Sequence, residues 1–257
     1  MRDNPLKQKL QRGERAFGSM VFEFVSPGLP AIAKAAGADY LLYDMEHSGL
    51  SMEQIKGQVA AARGLDLPVL VRPPAKQYHL ASLLLDLGAW GLMFPMVETA
   101  EEAAELVSWT RYPPRGVRGG AFGLSHDDYA PGEVTAKIAA AEARTLILVL
   151  IETAKGLDNV EEILAVPGID VAHVGHFDLS LSLGQPGDFA HPLVSAGIDR
   201  IAAAAKAAGK PAACMVPDAE TGRAWLARGY SMLSYSADLW LLQESLRRGI
   251  AALREDA

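Results

Sequence analysis

Short apolar segments alternate along the chain with longer segments in which apolar residues recur at helical spacing. Several of the short segments are apolar at every position rather than at alternate positions, which is typical of strands covered on both faces in a parallel sheet. We predict eight strands, at residues 19–25, 40–44, 68–72, 91–96, 146–152, 170–175, 211–216 and 230–236.

The segments between these strands have the composition and spacing of amphipathic helices. We predict helices within residues 29–37, 51–64, 78–88, 100–112, 156–166, 193–209 and 219–229. Many of them close with a glycine, such as Gly37 or Gly229, which is the usual residue after a helix C-terminus. Strands and helices therefore alternate through the whole chain.

Eight β/α units within 257 residues match a closed (β/α)8 barrel, the TIM barrel, in count and length. We expect one α/β barrel domain spanning residues 1–257. An open doubly wound sheet is the alternative, but residues 25–31 after the first strand lack the glycine-rich dinucleotide turn. The long irregular segment 111–134 is expected to be a lid or an interface.

Composition narrows the possible partners. The chain has 31 acidic and 24 basic residues, a net charge of −7, which argues against binding nucleic acid or an anionic membrane. Cys214 is the only cysteine, so no internal disulfide and no cysteine metal cluster can form. The first residues lack the apolar region of a secretory signal, and no apolar run is long enough to span a membrane. We expect a soluble, cytoplasmic protein.

Charged residues gather where the predicted strands end. They are Asp44 at the end of strand two with Glu46 and His47 after it, Arg72 at the end of strand three, Glu152 at the end of strand five and Asp178 after strand six. In a (β/α)8 barrel the C-terminal strand ends form the active-site face. Charges at buried strand ends are costly unless they are paired or bind a metal, so we expect these side chains to act together, although structural salt bridges remain the alternative.

Glu152 and Asp178 follow neighbouring strands and can act as a pair. Two carboxylates suit a hard divalent cation such as Mg²⁺ or Mn²⁺, which takes its remaining ligands from substrate and water. No histidine and cysteine set with tetrahedral zinc spacing is present in the sequence. The alternative is that Glu152 forms a salt bridge with Arg72.

Six segments in a fixed order carry a family resemblance. They are YDMEH (43–47), VRPP (71–74), residues 84–103, RYPPRGVRG (111–119), residues 151–164 and VGHFDLSLSLG (174–184). Together they resemble the HpcH/HpaI family of metal-dependent 2-oxo-acid aldolases, which includes 4-hydroxy-2-oxoheptanedioate aldolase and 2-dehydro-3-deoxyglucarate aldolase. The resemblance runs from residue 4 to the region of residue 240.

The resemblance implies a barrel of the phosphoenolpyruvate/pyruvate type and a class II aldehyde-lyase. Such an enzyme reversibly cleaves 4-hydroxy-2-oxo acids to pyruvate or hydroxypyruvate plus an aldehyde, through a metal-stabilised enolate. Glu152 and Asp178 would then hold Mg²⁺, Mn²⁺ or Co²⁺, with no organic cofactor. The backbone N–H groups of Phe177 and Asp178 would receive the donor's carboxylate, as free N–H groups at a helix start favour an anion.

Aldol cleavage suggests roles for the remaining charged residues. Arg72, planar and always cationic, suits the developing oxyanion. His47 is the candidate base for the 4-hydroxyl proton, because its ordinary pKa lies near neutrality. Asp44 is expected to orient His47 or to share its proton. By resemblance, Asp86 reaches a neighbouring subunit's site and raises the basicity of that histidine.

Two positions depart from the family pattern. Leu150 stands where many relatives have the glutamine of Q-I-E-T, which touches the donor, and His176 stands where they have the proline of G-P-x-D. Both departures lie beside the metal site, so the preference between pyruvate and hydroxypyruvate stays open. A change at Leu150 is expected to alter that preference.

The sequence indicates no functional role for four further histidines or for the lysines. We expect surface positions for His79, His126 and His191, and a packing role for His173. No lysine lies within a predicted strand, so a Schiff-base mechanism with a desolvated lysine is not expected.

Two other functions stay open at this point. A citrate lyase β or malyl-CoA lyase type of enzyme would act on a CoA thioester, although no basic cluster suits the CoA phosphates. A non-catalytic sugar-acid-binding barrel would not need His47 and Arg72 together.

The resemblance also implies a homo-oligomer, commonly a hexamer built as a trimer of dimers that exchange a C-terminal helix. The amphipathic segment 238–253 suits that exchange, though packing on its own barrel explains the same pattern.

Overall fold

The computed structural model describes residues 1–255, and its eight strands close into a barrel in chain order. All neighbouring strands are parallel, and the last strand pairs with the first. The strands are β1 Ala16–Val21, β2 Tyr40–Asp44, β3 Val69–Arg72, β4 Gly91–Phe94, β5 Leu146–Ile151, β6 Val171–Val174, β7 Ala212–Val216 and β8 Tyr230–Ala237. The predicted TIM barrel is confirmed, and the open sheet is wrong.

Helices surround this barrel and follow its strands. They are α1 Pro5–Gln11, α2 Leu29–Ala35, α3 Met52–Ala62, α4 Tyr78–Asp86, α5 Ala100–Trp109, α6 Val134–Arg144, α7 Ala154–Asp158, α8 Val160–Ala165, α9 His176–Ser182, α10 Pro192–Ala207, α11 Ala219–Ala227 and α12 Asp238–Glu255. A 3-10 turn at Ser125–Asp127 lies in the long segment before α6.

Side chains that alternate along the strands divide the core into two clusters. The inner cluster fills the barrel and takes one or more residues from each strand: Met20, Leu42, Leu70, Met93, Leu148, Val171, Ala213 and Met232 are examples. Leu6 and Leu10 of α1 belong to the same cluster and close the N-terminal end of the barrel. The outer cluster packs the opposite strand faces against the helices. The open end is therefore the C-terminal end, where the polar residues collect.

Seven predicted strands lie within two residues of the observed ones, and the first one is misplaced. We predicted residues 19–25, whereas β1 ends at Val21. The carboxylate of Asp238 accepts hydrogen bonds from the backbone N–H groups of Phe22, Glu23 and Phe24, at 3.0, 3.0 and 2.6 Å. These three amides therefore bond to a side chain, and β1 ends before them.

Three helical features differ from the prediction. Helices α1 and α6 were not predicted, and the single helix expected within residues 156–166 is divided into α7 and α8. The division falls at Asn159, whose side-chain amide donates to the carbonyl of Glu98 at 2.8 Å. That contact fixes the chain between the two short helices.

The long segment 111–134 is anchored to the barrel by buried charged residues. Lys137 pairs with Asp127 at 2.7 Å, and Asp127 is fully buried. The expected surface position of His126 is wrong, because the side chain is 2% exposed and its Nε2 lies 2.6 Å from the carbonyl oxygen of Ala121. The 3-10 turn Ser125–Asp127 lies in this buried polar stretch, whose burial local polarity does not indicate.

Helix α12 follows the last strand and confirms the amphipathic segment predicted there. None of its residues is buried, and its exposed apolar side chains include Trp240, Leu242, Leu246 and Ile250. Within residues 1–255, no helix combines the length and apolar character that crossing a membrane requires.

Candidate active site at the mouth of the barrel

Asp44 and Arg72 form the centre of the charged cluster at the mouth. They end β2 and β3 and are direct partners in the parallel register, so their side chains enter the barrel side by side. Asp44 is fully buried and accepts two hydrogen bonds from the guanidinium, one from Nε at 2.8 Å and one from Nη2. This two-point contact fixes the plane of Arg72.

Asp44 also organises the turn that carries the predicted base. Its Oδ1 accepts from the backbone N–H of Glu46 at 2.9 Å and more weakly from that of His47 at 3.4 Å. We expected Asp44 to orient His47, and its contact is with the backbone amide rather than the imidazole. The imidazole itself is 57% exposed, so it faces the open mouth.

Glu46 is one of the charged residues predicted at the mouth, and no separate role was predicted for it. Its Oε2 lies 3.0 Å from Nη1 of Arg72 and 3.7 Å from Nε2 of His47. Burial raises the pKa of Glu46, although the charge of Arg72 works against that rise. The residue links the guanidinium to the imidazole. The available sequence signal was its place beside His47 in the turn after β2.

Glu152 follows β5 and is 3% exposed. Its Oε1 accepts from the backbone N–H of Met96 at 2.7 Å, and Met96 has the left-handed φ of 51° that a side chain rarely adopts. Gly175 lies against the other side, where an added Cβ would come within 2.7 Å of the Glu152 Cβ and would also meet Oε2. Only glycine leaves room for the carboxylate at this position.

The raised pKa of Glu152 indicates that no cation balances the charge of its carboxylate. Burial raises the pKa of Glu152 to about 8, against the opposing hydrogen bond from Met96, and the negative charge of Asp178 adds to the rise. The alternative salt bridge between Glu152 and Arg72 is wrong, because Arg72 forms its ion pairs with Asp44 and Glu46. A buried carboxylate without a cation is costly.

The carboxylates of Glu152 and Asp178 fit a hard divalent cation. Asp178 lies in the first turn of α9 and repels Glu152, so a cation between them would satisfy both. The described residues contain no group of three or more His, Cys, Asp or Glu side chains suited to a metal. A site with two protein carboxylates, completed by substrate and water, is the arrangement that Mg²⁺ commonly has.

The start of α9 carries the backbone groups expected to bind the donor. The first residue to bond back along this helix is Leu179, whose N–H donates to the Gly175 carbonyl at 2.8 Å. The N–H groups of Phe177 and Asp178 therefore precede the helical hydrogen-bond ladder, as in any first turn. They therefore lie next to the carboxylate of Asp178 in the chain.

Beneath the carboxylates lie the apolar Leu150 and the buried His173. Leu150 is 2% exposed and belongs to the inner cluster. His173 is its register partner on β6, and burial lowers the pKa of this histidine to about 3. Its Nδ1 lies 3.1 Å from the carbonyl oxygen of Val174. The expected packing role for His173 agrees with its 4% exposure.

Asp86 lies outside this cluster in its own chain. It ends α4, and its Oδ1 accepts from Nη2 of Arg118 at 2.7 Å. The guanidinium of Arg118 is buried and holds Asp86 against the long segment 111–134. Its action on a neighbouring subunit's histidine stays a prediction.

Comparisons with known proteins identify the family of this chain. A family model described as HpcH/HpaI aldolase/citrate lyase matches residues 20–244. A 2-keto-3-deoxy-L-rhamnonate aldolase of Klebsiella pneumoniae is 35% identical over 254 residues, which cover 99% of this chain and 94% of that protein. A hydroxypyruvate/pyruvate aldolase of Paraburkholderia phytofirmans is 36% identical over 258 residues, covering 98% of each.

Solved structures extend the likeness to three dimensions. The crystal structure of an HpcH/HpaI aldolase from Desulfitobacterium hafniense matches with a TM-score of 0.92 at 31% identity, covering 97% of this chain and 96% of that chain. A citrate lyase beta subunit from M. tuberculosis has a TM-score of 0.56 at 22% identity, so it shares the fold alone. The chain belongs to the HpcH/HpaI aldolase/citrate lyase family.

Proposed function

We propose that the protein is a divalent-metal-dependent aldolase. It reversibly cleaves 4-hydroxy-2-oxo acids into pyruvate or hydroxypyruvate and an aldehyde. The observation that carries the proposal is one mouth in which the charge of Asp178 adds to the raised pKa of the buried Glu152, with Arg72 and His47 both in contact with Glu46 there. The names of the relatives, aldolases for hydroxypyruvate, pyruvate and 2-keto-3-deoxy-L-rhamnonate, support the same reaction class.

Glu152 and Asp178 would hold the cation, which supplies a Lewis acid for the keto oxygen of the 2-oxo acid. The N–H groups of Phe177 and Asp178 would bind the carboxylate of the substrate. Arg72 has five N–H donors, of which three are directed to Asp44 and Glu46. The remaining donors and the positive charge are available to stabilise the oxyanion that develops on the keto oxygen.

His47 completes the cleavage step. Its imidazole accepts the proton of the 4-hydroxyl, the C3–C4 bond breaks, and the electron pair of that bond moves to the enolate of the 2-oxo acid. The aldehyde leaves, and a proton returned to C3 regenerates the keto form. The carboxylate of Glu46, 3.7 Å from Nε2, stabilises the imidazolium that forms in this step.

We also propose that one barrel domain spans the chain and that it assembles into a cytoplasmic homo-oligomer, a hexamer built as a trimer of dimers. Support comes from α12, which has no buried residue and exposes an apolar stripe. Exchange of this helix between two subunits would bury the stripe. Such an assembly would also offer Asp86 a neighbouring active site.

A coupled assay tests the reaction. Pyruvate released from a 4-hydroxy-2-oxo acid is reduced by lactate dehydrogenase, and the consumption of NADH is followed. In a parallel reaction malyl-CoA is the substrate and the release of acetyl-CoA is followed. We expect metal-dependent turnover of the 4-hydroxy-2-oxo acid and none of malyl-CoA. Turnover only of a CoA thioester would contradict the aldolase proposal and favour the malyl-CoA lyase type.

A further inference from the structure

A groove with an excess of positive charge lies at the N-terminal end of the barrel, opposite the mouth. It is a cavity of about 420 Å³ that reaches Leu10 of α1 and Leu146 at the start of β5. The polar side chains of its lining, which we call the basal groove, are Lys7, Gln11, Asp170, Lys206, Lys210 and Ser231. Three ammonium groups therefore line the basal groove against one carboxylate, in a chain whose net charge is −7.

Backbone carbonyl groups hold two of these ammonium groups in position. Lys7 donates to the carbonyl of Thr145 at 2.6 Å and forms an ion pair with Asp170 at 2.9 Å. Lys210 donates to two carbonyl oxygens at the end of α8. An ammonium group has three N–H donors, so one remains on each of these lysines. The carbonyl oxygens orient the two cations without neutralising their charge.

Asp170 is a counter-charge shared among several cations. Besides its contact with Lys7, its charge opposes the lowering of the pKa that burial causes at Lys210 and at Arg111. Arg111 is buried and lines an adjoining cavity of about 680 Å³, which shares Lys7 and Asp170 with the basal groove. The carboxylate of Glu142 opposes the shift at Arg111 to a smaller extent. One carboxylate thus serves three cations, so the positive charge of the basal groove is only partly compensated.

We propose that the basal groove binds a phosphate group, either as inorganic phosphate or as part of a small phosphorylated metabolite. A phosphate dianion carries two negative charges above its second pKa, which equals the excess of the three lysines over Asp170. Its oxygens can accept from the remaining N–H groups of Lys7 and Lys210, while the exposed Lys206 adds a positive charge. The volume of the cavity lies in the range of small-molecule sites, about 300–1,000 Å³, so it leaves room for an organic group on the phosphate.

The basal groove is separate from the candidate active site. Leu146 lines the groove at the start of β5, Glu152 follows the end of the same strand, and six residues of strand span about 20 Å. The inference therefore does not rest on the proposed aldolase reaction. The lysines come from α1, from α10 and from the turn before β7, which only the closed barrel brings together.

Calorimetric titration of the metal-free protein tests the site with three anions at about pH 8, where phosphate is a dianion. The anions are inorganic phosphate, ribose 5-phosphate and, as the monoanion control, acetate. Lys206→Met removes one positive charge at an exposed position, and Lys206→Arg restores it. Lys56→Met is the matched control, because Lys56 is exposed on α3 and its replacement changes the net charge equally. Asp170→Asn removes the carboxylate of the groove.

We expect wild type to bind both phosphates, and acetate at least about tenfold more weakly. Lys206→Met should raise the Kd for phosphate about threefold, Lys206→Arg should recover it, and Lys56→Met should match wild type. Asp170→Asn should change the affinity in the opposite direction and lower the Kd. Tighter binding of ribose 5-phosphate than of phosphate would identify a metabolite as the ligand, and equal binding would identify the free ion.

Three results would overturn the proposal. They are the absence of binding of either phosphate to wild type, equal Kd values for Lys206→Met and Lys56→Met, and acetate binding as tight as that of phosphate. The comparison of the two lysine variants decides the question even if Asp170→Asn fails to fold.

Discussion

Replacing Glu152 by glutamine should stabilise the metal-free protein while abolishing metal binding. Most substitutions at buried polar sites destabilise a fold. Glutamine, however, keeps the size of the side chain and the oxygen that accepts from the N–H of Met96. It removes an acidic group that has to take up a proton at pH 7 in order to be buried without a cation. The expected gain comes from avoiding that proton uptake on folding.

The pKa shift sets the size and the pH dependence of this gain. Burial raises the pKa of Glu152 in the folded protein from 4.5 to about 8, so the folded state binds the proton more tightly than the unfolded state does. Stability is therefore lost as pH rises from the unfolded pKa toward 8. The resulting loss in the free energy of unfolding amounts to about 3 kcal/mol at pH 7 and falls below about 1 kcal/mol at pH 5.

Thermal unfolding of chelator-treated protein checks this expectation. For a chain of 257 residues, about 3 kcal/mol corresponds to a rise in Tm of roughly 6–12 °C at pH 7. Glu105→Gln is the control, because Glu105 is exposed on α5 and should change stability by less than about 0.5 kcal/mol. Added Mn²⁺ should raise the Tm of wild type and leave Glu152→Gln unchanged. A metal-free Glu152→Gln protein that is less stable than wild type at pH 7 would contradict the raised pKa of Glu152.

Three further substitutions separate the roles of neighbouring residues. His47→Ala should slow cleavage at least about 100-fold while calorimetry still detects metal and pyruvate binding, and loss of metal affinity would instead mean a ligand role. Leu150→Gln should change the kcat/KM ratio for pyruvate and hydroxypyruvate, because it offers the donor a hydrogen bond; an unchanged ratio means packing only. Lys76 donates to the Met96 carbonyl at 2.5 Å, and the N–H of Met96 holds Glu152. Lys76→Met should weaken Mn²⁺ binding about fivefold and Lys76→Arg should recover it, and equal affinities in a titration would contradict this coupling.

The barrel was predictable from sequence because strands buried on both faces are continuous apolar runs, which local composition shows. The end of β1 was not predictable, since it depends on Asp238, which lies 216 residues from Phe22. Residues 22–25 are apolar enough to continue the strand. A hydrogen bond from a distant side chain, rather than any local preference, ends it.

The residues of the candidate site also differ in how far the sequence predicts them. Asp44, Arg72 and Glu152 could be brought together from sequence, because parallel strands place their C-terminal ends at one face. The contact of Glu46 with Arg72 depends on the three-dimensional path of the turn after β2. The left-handed backbone of Met96 likewise depends on the loop after β4 and has no signal in its residue type. The residues at strand ends can thus be predicted from the sequence, whereas the loop contacts that hold them in place cannot.

Metal-dependent turnover in Asp178→Ala is the sharpest test of whether Glu152 and Asp178 hold a catalytic cation. Wild type and Asp178→Ala are chelated exhaustively and assayed for pyruvate release from a 4-hydroxy-2-oxo acid, before and after addition of Mg²⁺, Mn²⁺ or Co²⁺. We expect no turnover in chelated wild type, recovery with a divalent ion, and no recovery in Asp178→Ala. Full activity of chelated Asp178→Ala would contradict the assignment of Glu152 and Asp178 as the metal site.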